Sequence, residues 1–103
     1  MTADFKVQLY RVDHRLGKES KVDIQIIRIK RKKGSLYDEL ENTLKHRFDQ
    51  LRQINTQVNI YWKDVEGDRI SIKDEYDIIL AMESMSGPMY KLLVVFETSS
   101  AKG

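Results

Sequence analysis

The segment Tyr90-Lys-Leu-Leu-Val-Val-Phe96 constrains the fold more than any other, because six of its seven residues are apolar. A short run of this kind reads as a strand buried on both faces, and such a strand needs a neighbour on each side. The rest of the chain offers two hairpins to flank it. Residues 5–12 alternate strictly, with Phe5, Val7 and Leu9 on one face and Lys6, Gln8 and Tyr10 on the other, the period of a half-buried strand. Residues 13–21 are polar and contain Gly17, so they read as the turn of a long hairpin. Residues 22–29, dominated by β-branched side chains, supply its second strand. Their alternation slips at Ile26-Ile27, where a bulge is expected. Residues 58–62 and 69–72 form the other pair, joined by Lys63-Asp-Val-Glu-Gly-Asp68, in which Gly67 can take a positive φ.

Two helices complete the pattern. Ser35 is a good N-cap with Asp38 at the capping-box position, and Asp38, Glu39 and Glu41 complement the positive helix end. Leu36, Leu40, Leu44 and Phe48 then recur every four residues as one apolar stripe. Asp74 caps the second helix, with Ile78, Ile79, Met82 and Met85 expected inward, and Gly87-Pro88 ends it. The order is ββαββαβ. It predicts an α+β domain over residues 1–97, with 98–103 as a flexible tail or the start of a linker. A mixed five-stranded sheet with two helices on one face is the ubiquitin-like roll, or β-grasp, with the final strand central between the hairpins.

Composition narrows the function classes. The 103 residues suit one core. No apolar run approaches the ~18 residues of a membrane span, and the opening Met-Thr-Ala-Asp-Phe-Lys lacks an apolar signal core. The absence of cysteine removes disulfides and thiolate metal sites, and it fits a reducing, cytoplasmic setting. The net charge of +2 hides a segregation. Residues 1–34 carry ten Lys/Arg against four Asp/Glu, a balance of +6, whereas residues 61–89 carry three against seven, a balance of −4. Opposite patches on one small domain point to protein partners, or to copies of itself.

Catalytic chemistry finds no foothold in the sequence. His14 lies in a polar turn and His46 in a charged helix, neither beside a Ser or carboxylate at a spacing that suggests a triad. Asp64, Glu66 and Asp68 alternate like the first ligands of a calcium loop, and Glu75 stands at position 12 of that register. Residues 70–73, however, read Ile-Ser-Ile-Lys, a strand and not a wrapping loop. No catalytic residue, metal or cofactor is therefore expected.

The acids make better sense together. Val65 and Gly67 hold Asp64, Glu66 and Asp68 apart, and Glu75 and Asp77 lie in the first turn of the following helix. Folded back beside the turn, that helix would bring five carboxylates to one surface. Their repulsion would be relieved by a partner's Lys and Arg. Spacing alone leaves a solvated acidic turn equally open.

The stretch Trp62-Lys-Asp64-Val-Glu66-Gly67-Asp68-Arg-Ile-Ser-Ile-Lys-Asp-Glu75-Tyr-Asp77-Ile-Ile-Leu-Ala81-Met82 closely resembles the OPCA motif of PB1 domains. It looks most like the versions in atypical protein kinase C and in sequestosome-type scaffold proteins. The resemblance implies front-to-back binding to another PB1 domain, in hetero- or homo-oligomers of signalling or autophagy scaffolds. It implies an acidic face of Asp64, Glu66, Asp68, Glu75 and Asp77. It also implies a basic face, with Lys6 on the first strand and Arg28 on the second, assisted by Lys30. The paired Arg of the family's second strand stands here as Ile27-Arg28, followed by Lys30, Arg31, Lys32 and Lys33.

That basic run could also suit a nucleic acid or a phospholipid. It lacks interleaved aromatics and is balanced by acids elsewhere, so neither partner is expected, nor is a small-molecule substrate. A ubiquitin-like regulatory domain of a kinase, or a calcium-binding module without charge-paired assembly, is the alternative. The chain holds no kinase glycine loop or metal-binding Asp motif of its own.

Overall fold

A computed structural model describes residues 2–30 and 34–98. The elements are β1 (Thr2–Asp13), β2 (Lys18–Lys30), α1 (Leu36–Arg47), a 3-10 turn (Asp49–Arg52), β3 (Thr56–Lys63), β4 (Arg69–Ile72), α2 (Glu75–Ser84) and β5 (Met89–Thr98). One mixed sheet has the order β2-β1-β5-β3-β4. The apolar run in β5 is central, parallel to β1 and antiparallel to β3. This is the ubiquitin-like β-grasp that the ββαββαβ order predicts.

Alternation decides what each face does. Phe5, Val7 and Leu9 of β1, Leu92, Val94 and Phe96 of β5, and Ile60 and Trp62 of β3 join one core. Leu36, Leu40, Leu44 and Phe48 close that core from α1 and its C-cap, and Ile78 and Ala81 from α2. Ile79, Met82 and Met85 are only half-buried at its margin. The opposite face carries no helix, yet Leu93 and Val95 are 5% and 6% exposed there. In register beside them stand Tyr61 and Tyr10. The Arg69 guanidinium lies 5.6 Å from the Tyr10 ring and 5.8 Å from the Tyr61 ring. Glu19, fifty residues away in β2, holds that guanidinium with hydrogen bonds of 2.7 and 2.9 Å. A layer of two tyrosines and one clamped arginine thus does for this face what the helices do for the other.

Two sequence expectations about the first hairpin are corrected. The turn spans residues 14–17 instead of 13–21, because Asp13 pairs with Lys18 and its carboxylate accepts the N–H groups of Arg15 and Leu16. Residues 18–21 are polar because they face water, not because they leave the sheet. The bulge lies at Val22, not at Ile26-Ile27: Leu9 pairs with Asp23 and Tyr10 with Lys21, leaving Val22 as the extra residue. Past it β2 alternates without interruption. Ile27 and Ile29 are buried, while Val22, Ile24 and Ile26 form an exposed stripe on the helix-free side. Thr98, expected in the tail, still pairs with Thr56. Residues 99–103 and the basic residues 31–33 lie outside the described residues.

Candidate functional site

The turn between β3 and β4 is built by its first acid. Asp64 Oδ1 accepts the N–H groups of Glu66 and Asp68, both at 2.9 Å. The Asp64 N–H donates to the Asp68 carbonyl, and the Gly67 N–H to the Asp64 carbonyl, each at 3.0 Å. Closing so tight a loop needs a left-handed residue, which Gly67 supplies at φ 85°. The consequence is electrostatic: one carboxylate oxygen from each of Asp64, Glu66 and Asp68 lies within 4.8 Å of the others. None of the three is ion-paired among the described residues. Asp64 is half-buried, Glu66 and Asp68 are exposed, and Val65 stands fully in solvent at the tip.

The other two acids are used differently. Glu75 Oε1 accepts the Ser35 hydroxyl at 2.9 Å and the Tyr37 N–H at 2.7 Å, which places its charge at the N-terminus of α1. Asp77 Oδ2 accepts the Lys73 N–H at 2.9 Å, and the Asp77 N–H donates to the capping Asp74. Three acids therefore converge in the turn, while Glu75 and Asp77 serve the helix starts. Tyr37 belongs to the same junction. Burial, reinforced by Glu41, which accepts its hydroxyl, pushes the phenol up to about 12.

Opposite charge gathers on β1, β2 and β5. Lys6 is half-buried and stands between Ile26 of β2 and Lys91 of β5 in the pairing register. Lys6 and Lys91 make no ion pair among the described residues. Arg28 is not in that state. It grips Asp4, the residue directly opposite it, through Nε at 2.7 Å and a second guanidinium nitrogen at 3.0 Å. These hydrogen bonds hold the Asp4 carboxyl below its ordinary value and raise Arg28. Lys30 is exposed at the end of β2, opposite Thr2. Lys91, which the sequence reading did not single out, stands beside Lys6 through the parallel β1–β5 register.

Residues 13–97 match the family model described as PB1 domain. The chain belongs to the PB1 family. PB1 domains are protein–protein interaction modules and not catalytic ones. The match takes in the acidic turn, Arg28, Lys30 and Lys91, while Lys6 precedes it. A comparison with curated proteins gave no match. Among the described residues of this PB1 domain, no helix is long and apolar enough to cross a membrane.

Proposed function

We propose that this PB1 domain assembles front to back, the Asp64–Glu66–Asp68 turn of one copy or relative receiving the Lys6 face of the next. The observation that carries this reading is the placement of unpaired charges of opposite sign on different strands of one sheet. The acidic turn follows β3, Lys6 and Lys30 sit on β1 and β2, and β5 lies between. Two to three strand spacings separate them, roughly 10–14 Å at about 4.8 Å each. That exceeds the Debye length of about 8 Å at physiological ionic strength, so the two groups neutralise each other weakly within one molecule. Between molecules they can touch. An interface that uses two different patches is heterologous and leaves both ends open, so the product is a chain and not a closed dimer. Such a module belongs in a scaffold, and its partner is another PB1 domain.

Sedimentation velocity at low salt tests the reading. Wild type should form a concentration-dependent series of oligomers. Asp64→Lys/Asp68→Lys and Lys6→Glu/Arg28→Glu should each be monomeric, and their mixture should stop at a dimer. Oligomers of wild-type size in the acidic double variant would refute the proposal.

A further inference from the structure

We propose that the gap between β3 and β5 binds a small anionic amphiphile, its headgroup held between Lys63 and Lys91 and its apolar tail laid against Trp62 and Met85. The site begins with a ladder that stops early. β3 and β5 pair from Thr56↔Thr98 to Tyr61↔Leu93 and no further. β3 nevertheless stays paired with β4 as far as Lys63↔Arg69, and β5 with β1 as far as Asp4↔Met89. Each strand is held by its other neighbour while the two part from each other. Had the register continued, Lys63 would stand directly opposite Lys91, on the face that Tyr61 and Leu93 share. Like charges placed opposite each other on a sheet repel. Both lysines are exposed, and neither has an ion-pair partner among the described residues.

The parting opens a hollow of about 450 Å³, within the roughly 300–1,000 Å³ of small-molecule sites. Trp62 and Leu92, 7% and 1% exposed, are core residues that form its floor. Met85 and Met89, both half-buried, line it beside them with side chains that adapt to an apolar occupant. The charges at the mouth set the headgroup. Asp64 also lines the β3 lip, but its Oδ1 is drawn into the turn, where it accepts the Glu66 and Asp68 N–H groups. Two ammonium groups on opposite lips outweigh that one carboxylate. A carboxylate or sulfonate seated between the lysines relieves their repulsion, a neutral headgroup gains nothing there, and a cation adds to the repulsion.

The hollow carries its own reporter, because Trp62 is the single tryptophan of the chain. Octanoate, 1-octanol and octylammonium share one tail and differ in headgroup charge, so titrating each into the 103-residue chain tests the assignment. Octanoate should shift the Trp62 emission saturably, 1-octanol should need about tenfold more, and octylammonium should bind more weakly still. Lys63→Gln/Lys91→Gln should weaken octanoate about tenfold and leave 1-octanol unchanged, whereas Lys63→Arg/Lys91→Arg should bind octanoate like wild type. A thermal midpoint at or above that of wild type shows that the Gln variant is folded, since it loses two like charges and no ion pair. If the three probes bind alike, or the folded Gln variant binds octanoate like wild type, the lysines do not hold the headgroup and the proposal is wrong. It is equally wrong if octanoate leaves the Trp62 emission unmoved.

Discussion

Glu75, at the start of α2, reaches across to the start of α1, where Ser35 and Tyr37 donate to it. The resemblance to the OPCA motif puts it among the partner-binding acids, but its Oε1 accepts two hydrogen bonds from the start of α1. Replacing Glu75 with Ala leaves the Tyr37 N–H and the Ser35 hydroxyl without that acceptor in a half-buried junction. Hydrogen bonds to a charged group contribute about 1.5–3 kcal/mol when buried, so two in a partly exposed site should together be worth about 2 kcal/mol. A chain of this length unfolds with an entropy near 0.2 kcal/mol per kelvin, which converts the loss to a fall of about 10 °C in Tm. Glu75→Gln keeps an acceptor oxygen and should lose less than half as much. Thermal melts by circular dichroism supply the stability, and sedimentation well below the melting range supplies the assembly state. The expected pattern is a large fall in Tm with oligomers retained. An Ala variant with wild-type Tm and no oligomers would place Glu75 in the interface and refute the reasoning.

The remaining expectations concern charge. Raising salt from about 0.05 to 0.5 M should dissociate the oligomers, because screening shortens the range of the pairing, and light scattering would follow it. Glu19 is held below its ordinary value of 4.5 by the hydrogen bonds from Arg69. A depressed folded pKa means stability that is present above pH 4.5 and lost as pH falls through the folded value, so the Tm advantage of wild type over Glu19→Gln should be full near pH 7 and shrink below about pH 4. Calcium at about 1 mM, within the range of weak extracellular sites, should give no binding heat. Asp64 Oδ1 already serves two N–H groups, and a strand begins at Arg69 where a calcium loop would keep wrapping.

Local chemistry made most of this fold legible. The Ser35 and Asp74 caps, the Leu36–Leu40–Leu44 stripe, the positive φ at Gly67 and the central place of β5 all follow from short-range spacing. What short-range spacing leaves out is whatever a distant strand decides. The doubled Ile26-Ile27 resembled a bulge because the outer face of β2 is itself apolar, and the true bulge depends on pairing with β1. Glu75 is i+40 from Ser35, Arg69 is fifty residues from Glu19, and Lys91 meets Lys6 through a parallel pairing eighty-five residues apart. No period in the sequence encodes those meetings. The acidic turn was readable because its geometry is enclosed within five residues.

β2 has a further consequence. It is an edge strand of 13 residues, and its outward Val22, Ile24 and Ile26 lie among Lys18, Lys21, Arg28 and Lys30. An open, β-branched edge is a template for pairing with its own kind, and cationic side chains are what keep two such edges apart. The salt that dissolves charge-paired chains also screens that repulsion. Association should therefore pass through a minimum as ionic strength rises, with orderly oligomers below it and strand-paired aggregate above. The domain has a working range of ionic strength, and substituting Val22, remote from Lys6 along β2, with Lys should extend its upper limit.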